Sequence, residues 1–123
     1  MCGIIGILPR PSTRSVPTDQ SIEALLTAAV NAGTDCSLIA DALMAADQLL
    51  RGDAGIQALV GNAALMTRIT TCLDAIDAVA AVEEARIDAL HVDTATLDAE
   101  VARLSRVKDA SWAIRRDRLR AAD

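Results

Sequence analysis

Aromatic side chains are almost missing from this chain, since its 123 residues include one tryptophan and neither phenylalanine nor tyrosine. Apolar residues nevertheless make up 52% of the sequence, so any core must be built from alanine, leucine, isoleucine and valine. Alanine is the best helix former and lets helix axes approach one another. A chain of this length and composition is therefore predicted to form one small, mainly α domain.

Cysteine and histidine are also scarce, and their spacing excludes the common metal sites. Cys2, Cys36 and Cys72 lie far apart, and neither a C-x-x-C pair nor a zinc-like Cys/His spacing occurs. We predict no metal and no cofactor. The odd number of cysteines and the lack of a signal-peptide pattern favour a reduced, cytoplasmic protein. His91, the sole histidine, is expected in a solvated turn.

Long apolar runs and a uniformly positive charge are absent as well. Acidic residues interrupt the longest apolar stretch before about 18 residues accumulate, so we expect no membrane partner. The formal net charge is -5, although residues 101–123 carry seven basic and three acidic side chains. Without aromatic platforms or a positive field over the whole domain, we expect no nucleic-acid partner. The basic end is interpreted as offsetting a helix dipole and pairing with an acidic helix.

Three segments are predicted along the chain. Residues 1–8 read as a short strand bearing Cys2, the prolines in residues 9–17 indicate an extended linker, and residues 18–123 show helical periodicity. Thr18, Thr34 or Asp35, Asp53 and Asn62 are predicted to start four helices, which end near Ala32, Gly52, Gly61 and Leu90. A last helix is predicted from about Thr94 to Ala121.

The last two helices are long, and the turn between them is short. We predict that they form an antiparallel hairpin closing a helical bundle. Its register is expected to bring Arg103 near Glu83, and Arg106 and Lys108 near Asp77. Trp112 is expected to anchor the last helix in the core, because an aromatic ring buries more area than a leucine. Leu38 and Val101 are also assigned to buried faces.

The first seven residues, Met1-Cys2-Gly3-Ile4-Ile5-Gly6-Ile7, carry the chemistry most specific to this sequence. Removal of the initiator methionine would make Cys2 the first residue, with its thiol beside a free α-amine. That amine titrates at about 7.7 to 8.0, so it can act as a base near neutral pH. One residue would then supply both the nucleophile and its proton acceptor.

This segment resembles the amino terminus of the class II glutamine amidotransferases, the N-terminal-nucleophile glutaminases, and most closely that of the isomerizing glutamine-fructose-6-phosphate aminotransferases, or glucosamine-6-phosphate synthases. The resemblance implies that Cys2 attacks the side-chain amide of L-glutamine and that ammonia passes to a sugar-phosphate domain. The family's His-Thr-Arg-Trp-Ala-Thr-His-Gly segment, its Asn-Gly oxyanion contributor and its Gly-Asp substrate clamp are absent.

The resemblance also implies a division of labour between this chain and further sequence. The helical region looks like a stretch that some glucosamine-synthase-like proteins carry after the first strand, ending near residues 112–120. The glutaminase and sugar-phosphate isomerase segments are then the missing partners of this chain. We expect the chain to be inactive on its own, with Cys2 as its catalytic residue.

Other interpretations of the same residues stay open at this point. Met1 to Ile7 can be an apolar strand with an incidental cysteine. Lipidation of Cys2 is a further alternative, although a glycine does not follow Met1 and no polybasic stretch supplies a second anchor. The helices can also form a protein-protein interaction module with no catalytic role, including a homo-oligomer held through the long hairpin.

Overall fold

The computed structural model describes residues 15–122, and this part of the chain is mainly helical, as the composition predicts. The predicted strand at residues 1–8 and most of the linker at residues 9–17 lie outside the described residues. The helices are α1 (Asp19–Asn31), α2 (Cys36–Leu49), α3 (Gly52–Leu59), α4 (Ala63–Asp88), α5 (Thr94–Ala113) and a last turn α6 (Arg120–Ala122), with a π-helical segment, Ile114–Leu119, between α5 and α6.

Short polar side chains start four of these helices. Thr18, Asp35, Asn62 and Asp93 each accept a hydrogen bond from the backbone N–H three residues further on. Such caps satisfy donors that the first helical turn leaves unpaired. The sequence-based helix starts at Thr18, Asp35 and Asn62 are thus confirmed.

The predicted cap of α3 is wrong. Arg51 is the residue that precedes the helix, it makes no side-chain cap hydrogen bond, and Asp53 lies inside the first turn. The side chain of Arg51 bonds to Asp47 instead. The helix therefore begins one residue before Asp53, at Gly52, and without a side-chain cap.

Four helices pack in a ring around the core. α1 contacts α2 and α4, and α5 contacts the same two helices, so α2 lies diagonally opposite α4. Isoleucine, leucine and alanine fill the interior, with Ile22, Leu43, Ile69, Ile76 and Ile114 fully buried. No helix among the described residues is long and apolar enough to cross a membrane.

Three apolar residues that we assign to the core from sequence lie on the surface instead. Trp112 is 57% exposed, Leu38 is 56% exposed, and Val101 is 46% exposed. Helices made largely of alanine, isoleucine and leucine approach closely, so little interior volume remains for an indole ring. The Arg116 guanidinium instead lies over the Trp112 ring, with its Cζ atom 4.6 Å from the centroid of the ring, as a cation–π pair.

The predicted ion pairs of the last two helices are also wrong in their partners. Lys108 binds Glu84, Arg106 binds Asp41 on α2, and Arg103 binds Glu100 on its own helix. Asp77 receives hydrogen bonds from Ser111 and Arg115. A long basic side chain can reach several carboxylates on adjacent helices. Counting residues outward from the turn between two helices therefore does not identify which carboxylate it binds.

Candidate functional site

The predicted nucleophile Cys2 lies outside the described residues, so its surroundings are not part of this geometry. The other two cysteines are half-buried and unbonded. Burial raises the pKa of the Cys36 thiol, and the nearby carboxylates of Glu83 and Glu100 raise it further. Burial, with a smaller effect of Glu23, also raises the pKa of Cys72. Both thiols therefore stay protonated near neutral pH and are poor nucleophiles.

A polar cavity of about 450 Å³ lies where the α1–α2 turn meets α4 and α5. We call it the Glu83 cavity. Its volume falls within the range of small-molecule sites. Unlike most such sites, it is lined almost entirely by polar and charged side chains: Thr34, Asp35, Cys36, Glu83, Arg86, Glu100 and Arg103.

Alternating charges connect the walls of the Glu83 cavity. Arg86 donates from Nε to Oε1 of Glu83 at 3.1 Å and from Nη2 to Oε2 of Glu100 at 3.1 Å. Nη2 of Arg103 lies 3.1 Å from Oε1 of Glu100. Hydrogen bonding from Arg86 is the largest effect on Glu100 and holds the pKa of this carboxyl below its usual value. The network thus joins α4 to the first turns of α5.

Glu83 is the most buried charged side chain of this cavity, with 6% of its side chain exposed. Arg86 contacts only its Oε1 atom, and no donor among the described residues bonds to Oε2. Every fully buried side-chain N or O atom in the described part of the chain has a hydrogen-bond partner. Oε2 must therefore be in contact with solvent, and Glu83 is one of the residues that line the cavity.

A second buried carboxylate, Asp47, is bonded at both oxygens. Arg118 of the π-helical segment donates from Nε to Oδ1 at 2.7 Å, and Arg51 donates from Nη2 to Oδ2 at 3.0 Å. Burial alone would raise the pKa of Asp47, but the hydrogen bonds from Arg118 and Arg51 outweigh it, so the pKa lies below its ordinary value. We call these three residues the Asp47 cluster. It ties α2 to the C-terminal segment.

A shallower groove runs between α4 and α5. Ser111 is buried and donates from its hydroxyl to Oδ1 of Asp77 at 2.9 Å, while Arg115 binds Asp74 and Asp77. The exposed Trp112 ring lines the same groove. The Ser111 hydroxyl bonds to a carboxylate that also binds Arg115. Among the described residues it makes no hydrogen bond to a histidine or lysine, so an activated serine is not formed here.

The last sites considered from sequence are the single histidine and a metal site. His91 is exposed in the segment between α4 and α5, as predicted. Among the described residues, no group of three or more histidine, cysteine or acidic side chains is arranged to hold a metal ion.

The sequence analysis missed the Glu83 cavity and the Asp47 cluster, although both leave a signal in the sequence. Glu83 follows Ile76 and Ala80 on the buried stripe of α4, and Asp47 follows Leu43 and Ala46 on that of α2. A carboxylate on an apolar stripe requires a buried partner. Arg86 lies three positions from Glu83 and Arg51 lies four positions from Asp47, whereas Arg118 lies 71 positions from Asp47. Periodicity alone does not identify this distant partner.

Comparisons with protein-family models, curated proteins and solved structures found no match to this chain.

Proposed function

We propose that this chain is the N-terminal portion of a glutamine-dependent amidotransferase of the isomerizing glutamine-fructose-6-phosphate aminotransferase type. Cys2 is its nucleophile, L-glutamine is its substrate, and residues 1–8 form the first strand of a glutaminase-like domain. The helical region, with α4 and α5 as an antiparallel hairpin, is an inserted or appended domain. The protein works in a reducing cytoplasm, which keeps its three thiols free. The observation that carries this proposal is the segment Met1 to Ile7.

The surroundings of the other two cysteines support this assignment of Cys2, because they make both thiols less reactive. Raised pKa values at Cys36 and Cys72 leave both protonated. An N-terminal cysteine carries its own base, because the α-amine titrates near neutral pH. Thiol chemistry in this chain is therefore assigned to Cys2.

We expect the 123-residue chain to release no glutamate from glutamine above background. Acyl transfer needs donors for the developing oxyanion, and one such donor is worth about 100- to 1,000-fold in rate. It also needs groups that hold the α-amino and α-carboxylate ends of the substrate. In the family that this segment resembles, these groups lie in segments that the chain lacks.

The test compares glutamate release by three proteins: the 123-residue chain, the chain extended by its downstream coding sequence, and the extended protein with Cys2→Ala. Activity is expected only in the second. An extended Cys36→Ala protein is the matched control and should keep its activity. Turnover by the short chain, or by the extended Cys2→Ala protein, contradicts the proposal.

A second candidate function is self-association, and the outward face of α4 favours it. This face carries no charge over roughly 30 Å of helix, and its residues are all exposed: Ala64, Thr67, Thr71, Ala75, Ala78, Val82 and Ala85. Their spacing of three and four residues is that of a coiled-coil seam. The opposite face of α4 fills the core, so this helix has a buried apolar side and an exposed uncharged side. Such a helix usually packs on both.

The occupant that we propose for this face is the α4 helix of a second copy. Sedimentation velocity should show a dimer that Val82→Glu dissociates, because a carboxylate buried in the seam has no partner. Leu38→Glu is the matched control, since Leu38 is similarly exposed on the diagonally opposite helix. A monomer at all concentrations, or equal effects of the two variants, removes self-association.

A further inference from the structure

We propose that the Glu83 cavity binds a basic α-amino acid such as L-lysine, with Glu83 accepting from an ammonium group and Arg103 donating to the α-carboxylate. This site is independent of Cys2 and of the proposed glutaminase chemistry. It rests on the juxtaposition of an incompletely bonded, buried carboxylate with guanidinium groups around one solvent-reachable cavity.

The unbonded oxygen of Glu83 sets the first requirement on a ligand. Only 6% of the Glu83 side chain is exposed; Arg86 bonds to Oε1, and Oε2 is left to solvent. An ionised carboxylate accepts hydrogen bonds but donates none. A ligand that displaces solvent from Oε2 must be a donor, and a cationic donor such as an ammonium forms a stronger bond than water does.

The arginines set the second requirement. A guanidinium has five N–H donors in a planar fork that matches a carboxylate. Arg103 uses Nη2 toward a single oxygen of Glu100, so donors remain for a second carboxylate at the cavity wall. A ligand that satisfies both walls carries an ammonium and a carboxylate close together, as an α-amino acid does.

The charge balance of the cavity sets the third requirement. Three acidic side chains, Asp35, Glu83 and Glu100, face two basic ones, Arg86 and Arg103. The excess negative charge favours a ligand with a net positive charge. An amino acid with a second amine meets this condition, whereas a neutral amino acid does not.

Cys36 provides a reporter inside the cavity, and Cys72 provides an internal control outside it. Cys36 lines the Glu83 cavity, while Cys72 lines a separate pocket between α1 and α4. Both thiols are half-buried. The rate of alkylation by iodoacetamide is measured at each cysteine by peptide mass spectrometry, with and without L-lysine.

We expect L-lysine to slow alkylation of Cys36 at least fivefold at saturation and to leave Cys72 unchanged. The dissociation constant should be on the order of 1 mM, as befits about ten non-hydrogen atoms. Isothermal titration on the same chain should give the same constant. Cadaverine, which lacks the carboxylate, and N-acetylated lysine with both amines blocked should protect poorly.

Matched variants locate the site. Glu83→Gln should abolish protection, while Glu84→Gln, on the next residue but outside the cavity, should keep it. Arg103→Gln should weaken protection about tenfold or more, since a charged hydrogen bond is lost, whereas Arg106→Gln should not. Both arginines are about equally exposed, so these variants do not threaten the fold, and circular dichroism checks each one.

Several results overturn the proposal. Absence of both protection and heat at 20-fold above the expected constant removes the site. Equal slowing at Cys36 and Cys72 shows a general effect of the added salt. Binding that survives Glu83→Gln, or that cadaverine matches, shows that the assigned groups do not recognise an amino acid.

Discussion

Two buried carboxylates at different places in the bundle have opposite surroundings. Asp47 has a guanidinium on each oxygen, one from Arg51 and one from the largely buried Arg118. Glu83 has one oxygen bonded to the half-exposed Arg86 and the other open to a cavity. Burial is almost the same for the two side chains, so burial does not distinguish them.

The completeness of the hydrogen bonding separates a structural carboxylate from one that can bind a ligand. Asp47 holds α2 against the C-terminal segment, and both of its oxygens accept from guanidinium groups. Glu83 keeps an acceptor that only solvent or a ligand can satisfy. The comparison predicts that loss of Asp47 affects stability most, whereas loss of Glu83 affects binding most.

The largest expected effect is on folding. Asp47→Ala should lower the free energy of unfolding by about 3 to 5 kcal/mol, since it leaves the Arg118 guanidinium buried without a counter-charge. Glu83→Ala should cost about 1 to 2 kcal/mol, because Arg86 is half-exposed and can be solvated. Urea unfolding followed by circular dichroism measures both. Equal losses would abolish the distinction between the two carboxylates.

The close approach of α3 to the end of α2 should be nearly as sensitive. A Cβ atom at Gly55 would overlap the backbone of Leu50, so Gly55→Ala should cost about 1 to 3 kcal/mol. Gly33 is the control because it has open space but a left-handed φ of 67°. Gly33→Asn should be tolerated better than Gly33→Ala, as asparagine adopts that conformation, whereas Gly55→Asn should be worse than Gly55→Ala.

Stability at acid pH should report on the Asp47 carboxylate. The pKa of Asp47 is lower in the folded state than in the unfolded chain, so its contribution is complete above about pH 4 to 5 and is lost as the pH falls through the folded-state value. The difference between the parent chain and Asp47→Asn, measured by urea unfolding, should shrink by roughly 1 kcal/mol between pH 7 and pH 3.

Asp41→Asn is the control for this acid effect. Asp41 lies on α2, as Asp47 does, and also pairs with an arginine, Arg106 of α5, but it is well exposed. Its difference from the parent chain should be about 0 to 1 kcal/mol at either pH. A constant difference for Asp47→Asn from pH 7 to pH 3 would contradict the contribution assigned to the Asp47 carboxylate.

Features that depend on residues within one helical turn could be predicted from the sequence. Features that depend on contacts between residues far apart in the chain could not. The caps at Thr18 and Asn62 follow from side chains that bond within one turn. The exposure of Trp112 and the partner of Arg118 depend on how four helices share a small interior. The π-helical segment carries Arg118, which bonds to Asp47, and Leu119, which packs against the core.

The smallest expected effect is on thiol reactivity. Burial is the main cause of the raised pKa of Cys36, and the negative charge of Glu83 adds to it. Glu83→Gln should therefore speed alkylation of Cys36 about twofold in low salt, with less effect in high salt, because the interaction reaches through partly solvated space. Cys72 should react at its original rate.

Glu23→Gln gives the reciprocal experiment. Glu23, not Glu83, adds to the raised pKa of Cys72, so this variant should speed alkylation of Cys72 alone. Peptide mass spectrometry of one alkylated sample reports both cysteines at once. If Glu83→Gln speeds both thiols equally, the bundle has loosened as a whole. If Glu83→Gln speeds neither thiol, the negative charge of Glu83 does not reach the Cys36 thiolate. That result would contradict the assignment of a solvent-reachable, charged oxygen to Glu83 on the side of this cavity.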